Sequence, residues 1–234
     1  MWIEFAGGAA LSIAAVTTYG VRGRSSSIFG PSVWRGPSGR RAIALTFDDG
    51  PSESTAQLLE LLDRHRARAT FFQCGVNIRR LPSVAREVAA AGHEIGNHGD
   101  THAPFYLRGT AFIEGELERA QAAISEVTGR TATLMRAPYG ARWFGLRRAQ
   151  KRLGLLGVMW TAIARDWALD AAGITGRLER RAANGAIFCL HDGRGIETEP
   201  DIGETIRAVA RLIPELQSRG FQLETISELL CLRN

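Results

Sequence analysis

The chain is poor in cysteine, with three residues, an odd number, at Cys74, Cys189 and Cys231. No two of them stand at the spacing of a thiolate metal site or a redox pair. That excludes zinc-finger and thioredoxin-type chemistry and demands no oxidising compartment. Cys74 ends the run ATFFQC and Cys189 lies within AIFCL, where a thiol behaves as a small apolar side chain. Lysine is nearly missing. Lys151 is the only one among 29 lysines and arginines, so the net charge of +5 comes from arginine. The arginines are scattered through stretches such as LDRHRARAT and RLERRAA, with no long basic tract and no interleaved stacking aromatics. They read as solvated faces, and no nucleic-acid partner is expected. A signal peptide's basic start is lacking too, because Glu4 stands where it would be.

What the chain does have is length and apolar content. At 234 residues and 45% hydrophobic, it can bury a large core as one α/β domain. FAGGAALSIAAVTTYGV, residues 5–21, is uncharged and long enough for a short spanning helix, though weakly hydrophobic. Arg22 and Arg24 follow it and would hold the downstream side in the cytoplasm. Membrane association through residues 5–21 and a soluble leader helix both stay open. RGRSSSIFGPSVWRGPSGRR is rich in Ser, Gly and Pro and reads as a linker. The expected organisation is an N-terminal segment and linker at 1–40 and a main domain at 41–230. The sequence sets no oligomeric state.

From Arg41 onward, short apolar runs recur at AIALTF, ATFFQC, HEIGN, ATLMR, LGVMW, AIFCL and FQLETI. Between them lie stretches with helical spacing. STAQLLELLDRH sets Leu58, Leu59, Leu61 and Leu62 on one face, and GELERAQAAISEVTG does the same up to Gly129. About seven strand–helix units argue for a mainly parallel sheet, either open and doubly wound or closed into a barrel. In both, function gathers at the carboxyl ends of the strands. Asp48 and Asp49, His98, Arg136, Asp166 and His191 all fall there, from five different strands.

NHGDTH places His98 and His102 four residues apart, within reach of one metal ion. Adding a carboxylate from another strand end completes a His, His, Asp set, the usual composition of an open catalytic zinc site. LTFDDGP offers two carboxylates side by side. One can bind the metal while its neighbour takes a proton, since successive strand residues point in different directions. The metal's charge offsets their repulsion.

TFDDGP, GNHGDTH, RAPYG, RDW and LHD resemble, in order, the five motifs of the polysaccharide deacetylases, the NodB-homology proteins of carbohydrate esterase family four. The resemblance covers roughly residues 41–230. It implies a distorted (β/α) barrel of about seven parallel strands. It also implies hydrolytic removal of acetyl groups from an N-acetylated glycan or a related ester, with zinc, or else cobalt, as the divalent metal. Asp49, His98 and His102 would be the metal ligands and Asp48 the general base. Pro138 and Tyr139 of RAPYG would meet the substrate, with the Tyr139 N–H at the developing oxyanion. His191 would protonate the departing sugar amine. Arg136 would orient Asp48, and Asp166 would pair with His191. Trp167 and Leu190 would wall a pocket for the acetyl methyl.

Two positions depart from the family pattern. Gly99 stands where the family has Ser or Thr, so a hydroxyl that would tie down the histidine loop is lost. Ile163 stands where another acidic residue is common. An amidase acting on a small non-sugar amide and a glycan-binding domain without turnover are the competing readings. A glycan substrate points to the cell envelope or a membrane-associated place, while Arg22 and Arg24 keep a cytoplasmic one open.

Overall fold

The computed structural model describes residues 14–232. Among them, nine strands form one sheet in which every pairing is parallel. They are β1 (Ser32–Val33), β2 (Ala42–Gly50), β3 (Ala69–Gln73), β4 (Glu94–Asn97), β5 (Leu134–Met135), β6 (Leu156–Val158), β7 (Ala162–Ile163), β8 (Ala186–His191) and β9 (Gln222–Leu223). Their order is β1-β6-β5-β4-β3-β2-β8-β7, with β9 paired to β2. Each of the seven apolar runs falls on a strand. The two extra strands, β1 and β7, are two residues long, too short to show a period.

β6 and β7 lie near opposite ends of the hydrogen-bonded path, yet only residues 159–161 separate them in the chain. Four Cα steps reach at most about 15 Å. The two ends of the sheet must therefore meet, and the barrel closes through this bend rather than through a β6–β7 ladder.

Strand alternation sorts the side chains of the barrel. On β2, Ile43, Leu45 and Phe47 face out and join the core under the helices, together with Phe188 and Leu190 of β8. Ala42 and Ala44 face in, beside Phe72, Val158 and Ile187. The inward series continues to Thr46 and Asp48, so the polar residues follow the small apolar ones up the barrel's inside. The helix Thr55–Arg64 buries Leu58, Leu59, Leu61 and Leu62. The helix Thr110–Thr128 stops at Gly129, whose φ of 68° is the left-handed cap that glycine adopts freely.

Residues 22–40 do not hang free of the barrel. Ser32 and Val33 pair with Gly157 and Val158. Val21 and Phe29 are buried against Ala141, with Trp143 beside them. Of the uncharged stretch 5–21, residues 5–13 lie outside the described residues. No described helix is long and apolar enough to cross a membrane.

Candidate active site

β2 reaches the rim of the barrel with a bulge. Asp48 pairs with Phe72 and Gly50 with Gln73, which leaves Asp49 as the extra residue. Its φ is 74°, in the left-handed region that Asp tolerates better than most residues. Plain alternation would turn Asp49 away from Asp48. The bulge re-aims it, so both carboxylates reach one cleft.

Asp49 Oδ1 lies 3.2 Å from His98 Nε2 and 2.9 Å from His102 Nε2. Asp49 Oδ2 accepts from the Gly195 N–H at 2.8 Å. His98 Nδ1 is 2.8 Å from the Arg136 carbonyl. That carbonyl can only accept, so Nδ1 carries a proton, and the ring in its neutral form turns a lone pair on Nε2 toward Asp49. Asp49 Oδ1 is buried and has no hydrogen-bond donor. A carboxylate oxygen and an imidazole lone pair facing each other in a buried place call for a cation. Among the described residues the three side chains form one of two clusters whose ligand atoms lie within 4.8 Å of one another. Their donor set of two imidazoles and one carboxylate fits zinc with a position left open. Burial pushes the Asp49 carboxyl up, but donation and positive charge from the two histidines in their protonated form outweigh it and hold it well below the usual carboxylate range, and a cation between neutral rings would do the same.

The second cluster is Asp48, Cys189 and His191. Here every charge has a partner. Arg136, fully buried, donates from Nη1 to Asp48 Oδ1 at 2.5 Å and to Thr46 Oγ1 at 2.7 Å. Its Nε and Nη2 go to the Val158 and Met159 carbonyls at 3.1 and 3.4 Å. The guanidinium carbon lies 4.2 Å from the centre of the Phe72 ring. Such a buried cation is tolerable because its donors are met. Cys189 stays a thiol, since burial pushes its pKa well up, and its Sγ lies 3.5 Å from Asp48 Oδ2.

His191 Nδ1 is 2.8 Å from Asp166 Oδ1, and Asp166 Oδ2 accepts from the His191 N–H at 2.8 Å and Thr205 Oγ1 at 2.9 Å. Burial disfavours the His191 imidazolium, but bonding to Asp166 outweighs it and raises the pKa from 6.5 to about 9. Burial likewise pushes the Asp166 carboxyl up, and the bond to His191 brings it below its ordinary value. Trp167, half-exposed, sets its ring edge-to-face on His191 with 5.4 Å between centroids.

The sequence profile of the polysaccharide deacetylases matches residues 35–158. The chain belongs to the polysaccharide deacetylase family. It is 35% identical to a chitooligosaccharide deacetylase of Bradyrhizobium, over 82% of this chain and 92% of that protein. It is 33% identical to a peptidoglycan-N-acetylglucosamine deacetylase of Bacillus cereus, over 84% of this chain and 92% of that protein. In fold it is similar to a solved mutant of a family pseudoenzyme with restored enzymatic activity. That match has a TM-score of 0.78 and 25% identity, and covers 85% of this chain and 71% of the other.

The deacetylase cleft has a volume of about 680 Å³. Asp48, Asp49, His98, His102, Tyr139, Trp167 and His191 all line it. Arg136 and Asp166 act on it from behind. Two expected substrate residues sit elsewhere. Leu190 is fully buried in the outer core, because Cys189 and His191 take the inward positions of β8. Pro138 is buried behind the histidine loop, and the next two residues, Tyr139 and Gly140, reach the cleft instead. Tyr139 has a φ of 58°. A Cβ on Gly140 would come within 2.5 Å of the Trp160 ring, so only glycine lets this turn approach so closely.

Sequence reasoning missed Trp160, Arg194, Gly195 and Arg22, all on the cleft wall. It also missed Glu116, nearly fully buried, which secures the histidine loop. Its Oε2 accepts from the Asp100 and Thr101 N–H groups at 3.1 and 2.9 Å and from Thr101 Oγ1 at 3.0 Å. Gly99 itself donates to Asn97 Oδ1 at 2.9 Å and has a φ of 77°. The loop is thus fastened without a hydroxyl at position 99, where a side chain would be strained. Ile163, in place of the second acidic residue, offers the cleft an apolar wall.

Proposed function

We propose that the chain is a metal-dependent deacetylase that hydrolyses the acetamide of N-acetylated glycans, with zinc as the metal. The observation that carries this reading is the separation of tasks in one cleft. A trio of one carboxylate and two imidazoles, with no arginine among its contacts in the described residues, stands beside a carboxylate and an imidazole that each have a charged partner of their own.

Asp49, His98 and His102 would hold the ion, which supplies a Lewis acid for the acetyl oxygen and acidifies water. Asp48 is held through Oδ1 by Arg136, and its Oδ2, which takes only a weak contact from the Cys189 thiol at 3.5 Å, accepts the proton of the attacking water. Oxygen adds to the acetyl carbon, the carbon–nitrogen bond breaks, and the nitrogen takes its proton from His191. The products are acetate and the free amine. Asp166 keeps His191 protonated for that step. The Tyr139 N–H is the chain's own donor to the oxyanion, a contribution of about 3 kcal/mol when such a donor is well aimed. Trp160, Trp167 and Tyr139 supply flat apolar faces for sugar rings.

The test is acetate release from a panel of chitooligosaccharides, peptidoglycan fragments, acetylated esters and small amides, with zinc supplied. Release from the glycans is expected. Turnover of small amides alone would favour the amidase reading. Tight glycan binding with no acetate, equal in wild type and Asp48→Ala, would favour a silent binder. A glycan substrate also leads us to propose the cell envelope as the place of action. Protease accessibility in intact cells against spheroplasts tests it.

A further inference from the structure

Two arginines line the cleft, and they are held differently. Arg194 has spent donors on the Gly193 and Asp166 carbonyls, both at 2.9 Å. Arg22, the last residue of the helical stretch 14–22, is exposed. Its one hydrogen bond among the described residues is a long one, 3.5 Å from Nη1 to the Tyr139 carbonyl. It joins no ion pair there. A guanidinium carries five donors in a fixed fork that matches carboxylate and phosphate oxygens, so most of this fork stays open to the cleft.

Its position is built rather than incidental. Arg142 is buried and donates to the Gly23 and Ser26 carbonyls, and its own N–H reaches the Val21 carbonyl at 3.2 Å. Phe29 packs on Trp143 and Phe144, with ring centroids 5.5 and 4.7 Å away. Arg147 donates to the Ser27 carbonyl at 2.8 Å. A Cβ on Gly30 would meet the Gln150 side chain at 1.9 Å, so the chain runs hard against the helix Leu146–Leu153. The segment before the barrel is therefore clamped on both sides of Arg22's reach to the loop that carries Tyr139.

We infer that Arg22 reads an oxyanion on the substrate, a carboxylate or a phosphate on or next to the acetylated sugar. The N-terminal segment then sets the enzyme's preference for anionic over neutral glycans. The inference rests on the deacetylase reading for its substrate but not for its binding test. Arg22 touches no group that moves a proton, so its effect belongs in KM rather than kcat.

The experiment compares the zinc-loaded full chain with Arg22→Ala and Arg22→Lys. The substrates are a neutral N-acetylglucosamine tetramer, an N-acetylglucosamine–N-acetylmuramic acid disaccharide carrying a carboxylate, and N-acetylglucosamine 1-phosphate. The ratio of anionic to neutral KM is expected to rise about tenfold in Arg22→Ala, as for loss of one charge-assisted hydrogen bond. Arg22→Lys should recover part of it. Whichever anionic substrate shows the change identifies the oxyanion. A ratio within about twofold of wild type for both, on that same scale, overturns the inference. Calorimetric binding of the two anionic sugars to the same proteins is read in parallel and needs no turnover. Equal affinities in wild type and Arg22→Ala overturn the inference even if no substrate is hydrolysed, whereas acetate release that ignores Arg22 leaves the deacetylase reading standing.

Discussion

Two clusters with the makings of a metal site lie side by side at the top of the barrel. One is Asp49 with His98 and His102, and the other is Asp48 with Cys189 and His191. By composition they are equals, since a thiol ligand binds zinc at least as readily as a carboxylate. They differ in what surrounds them. Asp48 has Arg136, His191 has Asp166, and Cys189 is kept a thiol by burial. Among the described residues Asp49 has no arginine partner: its Oδ2 takes the Gly195 N–H, and its buried Oδ1 faces the Nε2 atoms of two histidines. A cluster already neutralised by its neighbours moves protons, and a cluster left electron-rich binds a cation. The second contacts, more than the ligand types, assign the work.

Removing the electron-rich cluster is the strongest way to break the comparison. Asp49→Ala is expected to abolish bound zinc, measured as metal per chain after gel filtration, and to drop acetate release to background. Zinc retained at one per chain would move the metal to the other cluster. Asp48→Asn is the converse. It should keep the metal and lose about 10²–10⁴-fold in kcat, the usual worth of a positioned base. Loss of metal in Asp48→Asn would erase the distinction between the clusters.

Next in size is Glu116, which touches neither substrate nor metal. Its carboxylate gathers the Asp100 and Thr101 donors that shape the loop between His98 and His102. Glu116→Ala should weaken zinc binding about 10–100-fold, as outer partners of metal ligands do. The kcat of the fully loaded protein should change far less. A competition titration with a chelating dye measures the first, and saturating zinc the second.

The neutralised cluster can be tested through pH. His191 has its pKa raised from 6.5 to about 9, so it stays charged through neutrality and loses its proton as pH climbs through that value. Activity that needs its proton should fall on the alkaline side. By linkage, the stability contributed by the Asp166 pair is fully present below about 6.5 and is lost as pH rises toward the folded-state value. Asp166→Asn should move the alkaline limb of kcat/KM down toward the ordinary histidine value of about 6.5. A dication on Asp49 repels the imidazolium in both proteins, so the shift between them is the quantity to read. An unchanged limb would assign the proton to another group.

Much of this was legible beforehand, for identifiable reasons. Seven apolar runs gave seven strands because parallel strands buried on both faces need continuous apolar sequence. Asp48, Asp49, His98 and His191 announced themselves by falling at strand ends, and His102 by standing four residues after His98. What stayed hidden lies where a side chain's direction or a tertiary contact decides. Leu190 adjoins His191 in sequence but faces the opposite side of β8. Asp49 reaches the cleft through a bulge that no residue pattern announces. Arg22 read as the charged flank of a membrane segment, and only the packing of Val21 and Phe29 brings it to the cleft. Glu116 looked like one more charge on a helix, yet it is the fastening of a loop some 16 positions upstream.

That fastening bears on the smallest effect, at position 99. The family's hydroxyl there suggested a loosened histidine loop, but Asn97 and Glu116 already take up the loop's donors. A Cβ on Gly99 meets nothing closer than 3.6 Å, so space is not the obstacle. The φ of 77° is. A serine would enter the left-handed region at a cost of about 1 kcal/mol. Gly99→Ser is therefore expected to lower the unfolding free energy from denaturant titration by that much and leave zinc affinity where it was. Should the serine raise both, the electron-rich cluster is held more loosely than its contacts indicate. Its contrast with the firmly partnered cluster would then be partly one of rigidity rather than of charge.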